Sequence, residues 1–202
     1  IVENIRTARR FLKKCDPSFD IGAVTFYELN RHTDLSEVSS YLEPLRRGEA
    51  VGVMSEAGCP AVADPGALPV SIAQREGLKG VPLVGPSSIL MALMASGFNG
   101  QGFSFNGYLP IEAKEREKKL RDLEALSRRC DMTQIFIETP YRNNKMVECL
   151  ARTLKGDTLL CVACDITDPE HETIVTQPAS RWKNTRYNFD KRPAIFLIYA
   201  SK

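Results

Sequence analysis

Little in this sequence matches the residue patterns by which common active sites are recognised. It has no GxxxxGK[ST] run and no GxGxxG after an apolar stretch, so nucleotide phosphates lack a familiar Gly-rich seat. It has no GxSxG, and no Cys/His arrangement that points to covalent catalysis. Only two histidines are present, His32 and His171, and neither lies near a cysteine pair. The single CxxC, Cys161 to Cys164, falls inside "TLLCVACDIT", which reads as a strand. Residues three apart on a strand point to opposite faces, so the two sulfurs diverge and fit neither a zinc knuckle nor a thioredoxin-type pair. The six cysteines are therefore expected to be reduced core thiols of a cytoplasmic protein, with no metal. No apolar stretch approaches the roughly twenty residues of a membrane span. Charge is nearly balanced as well, at +2, which is too small to demand a nucleic-acid partner.

What is present is an ordinary globular composition, 43% hydrophobic and 26% charged, long enough to bury one large core or two small ones. Residues 4–14 predict a basic amphipathic helix and 23–28 a strand. The Asp34/Glu37 capping box predicts a helix that Pro44 kinks or stops. Strands are expected at 50–54 and 81–84, and helices at 66–77 and 89–96. The second half reads as a long charged helix at 112–129, a strand at 133–138 and a helix at 143–154. Strands at 158–165, 172–176 and 193–200 complete it. Alternating strands and helices in the first half predict a parallel sheet covered by helices, and the succession of strands in the second predicts a mixed one. The turn closing "FSFNGYLP" places the expected boundary after residue 110, giving domains 1–110 and 111–202. Basic residues cluster at Arg6, Arg9, Arg10, Lys13 and Lys14, and again from Lys114 to Arg121. Together they permit a polyanionic ligand without requiring one.

"SEAGCPAVADPG", residues 55–66, follows the apolar "AVGVM" with a stretch that cannot build a core. Glycine lets a backbone approach another molecule closely, and proline stiffens the path. Parallel α/β sheets bind ligands at loops leaving the carboxyl ends of their strands, where this loop and "GPSS" at 85–88 are both expected. The stretch reads either as a surface turn or as a cradle whose backbone holds a ligand.

Taken in order, "SEAGCPAVADPG", "VPLVGPSS", "FSFNGYLP", "IFIETPYR" and "KRPAIFLIYA" resemble the motif series of the tetrapyrrole (corrin/porphyrin) methylase superfamily. The similarity is nearest to its bacterial ribosomal-RNA ribose 2′-O-methyltransferase branch, which shows S-D-A-G-x-P-x-x-S-D-P-G, F-x-G-F-L-P and E-S-P-H-R. The resemblance covers essentially the whole chain. It implies two α/β domains, often in a homodimer, with S-adenosylmethionine in the cleft between them. It implies cofactor contacts from Ala57, Gly58 and Cys59 with Val62 nearby, from Ser87 and Ser88, from Glu138 at a strand end, and from Ala194 beneath the adenine. The substrate implied is ribosomal RNA. Glu3, Glu56, Asp64 and Glu138 are then candidate bases or hydroxyl-orienting groups. Arg6 and Arg142 are candidate phosphate contacts, because guanidinium forks fit phosphate oxygens.

Three departures bear on the substrate. Gly58-Cys59-Pro60 stands where tetrapyrrole enzymes carry Gly-Asp-Pro and the ribose branch Gly-Thr-Pro. Glu3-Asn4-Ile5-Arg6 replaces E-D-T-R and loses an acid, and Glu56 replaces an Asp. A tetrapyrrole C-methyltransferase, or a cofactor-binding member without turnover, are the alternatives. Members of the family begin with a strand and a P-T-P-x-G-type loop, whereas "IVEN" reads as the tail of a strand. Roughly 30 residues are thus expected to precede Ile1, and the 202-residue form is expected to bind cofactor weakly without turnover.

Overall fold

A computed structural model describes residues 1–184 and 187–201, which form two compact units, Ile1–Pro86 and Ser87–Lys202. In the first unit the basic helix forms as α1, Ile5–Cys15. Asn4 caps it, its side chain accepting the N–H groups of Arg6 at 2.9 Å and Thr7 at 3.2 Å, two of the donors that a first turn leaves open. The strands expected at 23–28 and 50–54 shrink to single points of pairing. Val2 bridges Glu28 on one side and Met54 on the other, both in parallel. The bonds are Val2 N–H to Tyr27 carbonyl at 2.9 Å, Leu29 N–H to Val2 carbonyl at 2.8 Å, and Met54 N–H to Ile1 carbonyl at 3.0 Å. Asp20 captures the N–H of Gly22, so residues 21–23 coil into a 3₁₀ turn and the run cannot start as a strand.

The strand expected at 81–84 is absent. Val81, Leu83 and Val84 stand exposed, because an apolar run with no neighbour to pair with remains an extended loop. Residues 35–42 are 3₁₀, and Pro44 sits in the first turn of α2, Glu43–Arg46, where a missing N–H breaks no bond. This proline opens a helix instead of ending one. α3, Ala67–Arg75, packs against the 35–42 segment. The core of the unit is Ile1, Leu29, Val38, Leu42, Ile72 and Ala73, flanked by Tyr27 stacked on Tyr41 at 4.9 Å.

The second unit opens with α4, Ser88–Ser96, and is built on a five-stranded sheet. Its strands are β1 Phe103–Tyr108, β2 Thr133–Ile137, β3 Leu159–Cys164, β4 Thr173–Pro178 and β5 Ala194–Tyr199, in the order β1-β2-β5-β3-β4. Only β1 and β2 run parallel, so the sheet is mixed as expected. α5 Ala113–Cys130, α6 Asn143–Thr153 and α7 Ala179–Trp182 complete it. The period of two sorts its side chains: Phe136, Val162 and Phe196 face Leu120, Leu123 and Leu150 of α5 and α6. Ile135, Ala163 and Leu197 face Ala92 and Leu93 of α4. Because α4 covers one face of this sheet and β1 is one of its strands, residues 87–110 belong with the second unit. The division falls after Pro86, earlier than the boundary expected at 110.

Cys161 and Cys164 enter the two opposite cores, as the strand reading requires. Burial raises both thiols, Cys164 to about 11. The expectation of six core thiols is corrected, since Cys15 and Cys130 are exposed and Cys59 half-buried. Sequence pattern alone gave no face for Cys15 and Cys130, which end α1 and α5. At pH 8, Ellman's reagent should therefore label Cys15 and Cys130 rapidly and Cys149, Cys161 and Cys164 only after denaturation. Four or more rapid equivalents, beyond Cys15, Cys130 and the half-buried Cys59, would contradict the second unit's packing. Among the described residues no helix is long and apolar enough to cross a membrane, and no group of three or more His, Cys, Asp or Glu is placed to hold a metal ion.

Candidate cofactor loop and carboxylate sites

The loop after Met54 is organised from both ends by carboxylates. Asp64 Oδ1 accepts the N–H groups of Ala61 and Gly66, each at 2.7 Å. The turn so formed holds Ala61 and Ala63 in the left-handed region, at φ 67° and 59°. Each costs about 1–2 kcal/mol, which a charge-assisted hydrogen bond of about 1.5–3 kcal/mol offsets. Gly66 has no room for a side chain: a Cβ would lie 2.8 Å from Asp64 Oδ1 and 3.1 Å from both Ala61 N and Val53 Cγ1. Gly58 differs. Its φ of +75° requires glycine for conformation, and nothing lies within 4 Å of where a Cβ would be.

At the other end Glu3 Oε1 accepts the N–H of Glu56 at 2.9 Å and lies 3.4 Å from Ser55 Oγ. The hydroxyl of Thr7 donates to Glu56 Oε1, so α1 holds the start of the loop. Cys59 Sγ donates to the Pro86 carbonyl at 3.6 Å and brings the two Gly/Pro-rich loops of this unit together. The N–H groups of Gly58 and Cys59 have no partner among the described residues, so the loop presents two free donors beside open space. Val62 is exposed and Ala57 borders the same turn. Arg6 is exposed on α1.

In the second unit Ser87 caps α4, its Oγ accepting the Leu90 N–H at 3.5 Å, and Ser88 is exposed in the first turn. Ala194 begins β5, buried and paired with Cys164. Glu138 follows β2 with its side chain only 3% exposed. Its Oε1 accepts the Thr139 N–H at 2.6 Å and Arg142 Nη2 at 2.7 Å, while Arg142 Nε donates to Thr139 Oγ1 at 3.1 Å. The sequence reading treats Glu138 and Arg142 as separate contacts, for cofactor and for phosphate. The structure joins them in one ion pair that folds "ETPYR" on itself, with the Arg142 side chain still 32% exposed.

Two residues that shape the loop carry no site motif of their own in the sequence. Thr7 was hidden because its partner Glu56 lies 49 positions away, although its place one turn into a capped helix is visible. Gly66 was passed over for Gly58, yet Asp64-Pro65-Gly66 carries the signal of a carboxylate accepting from a backbone N–H two residues on.

No protein-family model matches the chain. The ribosomal RNA small subunit methyltransferase I of Vibrio cholerae is 32% identical over 184 residues, covering 90% of this chain and 62% of that protein. The protein of the same name in Pasteurella multocida is 33% identical over 176 residues, covering 86% of this chain and 61% of its own length. The chain thus spans less than two thirds of these relatives. Among solved structures the methyltransferase CobJ aligns with a TM-score of 0.59 at 18% identity, covering 91% of this chain and 78% of that one, which shows the shared fold. Along nine tenths of its length the chain is thus similar to proteins named ribosomal RNA small subunit methyltransferase I, and it shares the fold of the methyltransferase CobJ.

Proposed function

We propose that the chain carries the catalytic units of an S-adenosylmethionine-dependent methyltransferase acting on small-subunit ribosomal RNA at a ribose 2′-oxygen. The observation that carries this reading is the 32% identity, over 90% of the chain, to a protein named for that RNA. The 55–66 loop supports it, since two free N–H groups beside an open face fit the polar end of an amino-acid cofactor. Bound there, the cofactor supplies a methyl group already activated on a sulfonium. Ala57, Gly58, Cys59, Val62, Ser87, Ser88, Glu138 and Ala194 are the residues proposed to hold it. Cytoplasmic location and a homodimer belong to the same proposal, drawn from the resemblance, and light scattering of the purified protein tests the dimer.

With the methyl group activated by its donor, the protein's main task is to align donor and hydroxyl, and assistance with the proton adds roughly 10²–10⁴-fold. Asp64 spends its Oδ1 on the loop, Glu3 its Oε1 on Glu56 N–H, and Glu138 its Oε1 on Arg142. Glu56 is exposed and bound only through the Thr7 hydroxyl on its side chain, which makes it the preferred hydroxyl-orienting group. Glu56→Gln preserves that acceptor oxygen and removes the charge. It is expected to lower kcat by roughly 10²–10⁴-fold with cofactor affinity kept. Methyl transfer from labelled cofactor to small-subunit ribosomal RNA tests the function itself. Label entering uroporphyrinogen and no RNA would replace it with the tetrapyrrole reading, and binding without transfer would leave a cofactor-binding module.

A further inference from the structure

Resting on the ribosomal-RNA reading above, we infer that α1 is the element that grips the RNA backbone, through a stripe formed by Arg6, Arg9, Arg10, Lys13 and Lys14. The spacing of these residues, three and four apart, sets all five on one face of the helix, and all five are exposed. The stripe runs for about 12 Å along the axis. The helix contains no acid, and none of the five forms a salt bridge among the described residues. Among the described residues their side chains make one hydrogen bond, Lys13 Nζ donating to the Pro17 carbonyl at 2.9 Å, and one ring contact, the Arg9 guanidinium 5.9 Å from the Phe26 ring centre. Lys13 also lies close enough to Asp16 to attract its carboxylate.

Such a stripe works against its own helix. Arg6–Arg10, Arg9–Lys13 and Arg10–Lys14 are like charges one turn apart, and Arg6 sits at the positive end of the helix dipole, although Lys13 and Lys14 stand in the last turn, where the dipole favours them. Folding gains little from this arrangement, whereas an external polyanion relieves it. The second basic cluster is built differently. α5 interleaves Glu115, Glu117, Asp122 and Glu124 with its cations, and Arg121 and Arg128 pair with Glu117 and Asp157.

An anionic membrane would also attract the charge, but membrane helices need a free apolar face. Here Ala8 is buried and Ile5 and Leu12 half-buried, turned into the unit. Phe11, 55% exposed, lies one turn from Lys14 and offers a ring on which a base can stack. The same helix holds the cofactor loop through Thr7 and Glu56, so RNA on the stripe is delivered beside that loop within one unit.

The test is the salt dependence of binding to an in-vitro transcript of small-subunit ribosomal RNA, for the whole chain and for Arg9→Gln/Arg10→Gln/Lys13→Gln. The slope of log affinity against log salt should flatten by about 2, at roughly 0.7 for each lost phosphate contact, with cofactor affinity by calorimetry unchanged. Phe11→Ala should weaken binding without altering the slope. An unchanged slope in the folded triple variant overturns the assignment. So does a flattened slope in Lys118→Gln/Lys119→Gln of α5 with none in α1. Binding of phosphatidylserine vesicles that the triple variant abolishes, without RNA binding, also overturns it, in favour of a membrane. Loss of cofactor binding in the unaltered protein would strike the methyltransferase reading, and the salt slope would still test α1.

Discussion

Gly66→Ala is expected to weaken S-adenosylmethionine binding by roughly ten- to a hundredfold while leaving the second unit folded. The added methyl would meet Asp64 Oδ1 at 2.8 Å, with backbone and Val53 close on two other sides, so the carboxylate must leave one or both of its N–H partners. One such charge-assisted bond contributes about 1.5–3 kcal/mol, and each 1.4 kcal/mol passed on to the cofactor is about tenfold in affinity. Ala61 and Ala63 would then relax out of their left-handed conformations and carry the Gly58–Cys59 donors with them. Gly58→Asn is the companion variant. Asn tolerates positive φ, so a loss of affinity there reports space taken from a ligand and not backbone strain. Native affinity in Gly66→Ala would show that the Asp64 turn has no part in binding.

Arg142→Ala is expected to lower the melting temperature by about 6–12 °C. The substitution leaves the Glu138 carboxylate 3% exposed without its cation, a situation that costs about 3 kcal/mol or more. In a protein of this size each kcal/mol is worth about 2–4 °C. Adding Glu138→Gln to the same variant should recover most of the loss, because a neutral amide tolerates the site. Arg142→Lys keeps a charge without the planar fork and should fall between. If Arg142→Ala melts normally but flattens the RNA salt slope by about 0.7, the arginine serves phosphate and not the fold.

The helices were legible where their ends are written in the chain. Asn4, Ser87 and Glu112 cap α1, α4 and α5 with their own side chains, a local signal that needs no knowledge of neighbours. β2, β3 and β5 were legible because both of their faces are buried and their apolar runs are continuous. The same signal misled at 23–28, 50–54 and 81–84. An apolar run states that a segment gains from burial, but pairing depends on a second segment, and here Val2 alone bridges two of the three. The candidate residues divide in the same way. Asp64 reaches Gly66 within two positions and was visible as a loop carboxylate, whereas Glu3 meets Glu56 across 53 positions. Glu138 and Arg142 stood four apart in the sequence, a spacing that pairs side chains on a helix. Their segment crosses from a strand into a 3₁₀ turn, so pattern alone did not announce the ion pair.

Val2 also joins the approach to the 55–66 loop to the start of α1. One bridge to Glu28 and one to Met54 hold the segment before Asn30 and the approach to the loop on either side of it. Loops that bind ligands are drawn from the parts of a fold that open at low free-energy cost. A small molecule that recognises only the closed form of the 55–66 loop therefore adds its binding energy to the folding of that unit, about 2.7 kcal/mol at a hundredfold excess over Kd. For the methyl donor proposed above, added cofactor should therefore slow limited proteolysis of the first unit and leave cleavage of the second unchanged.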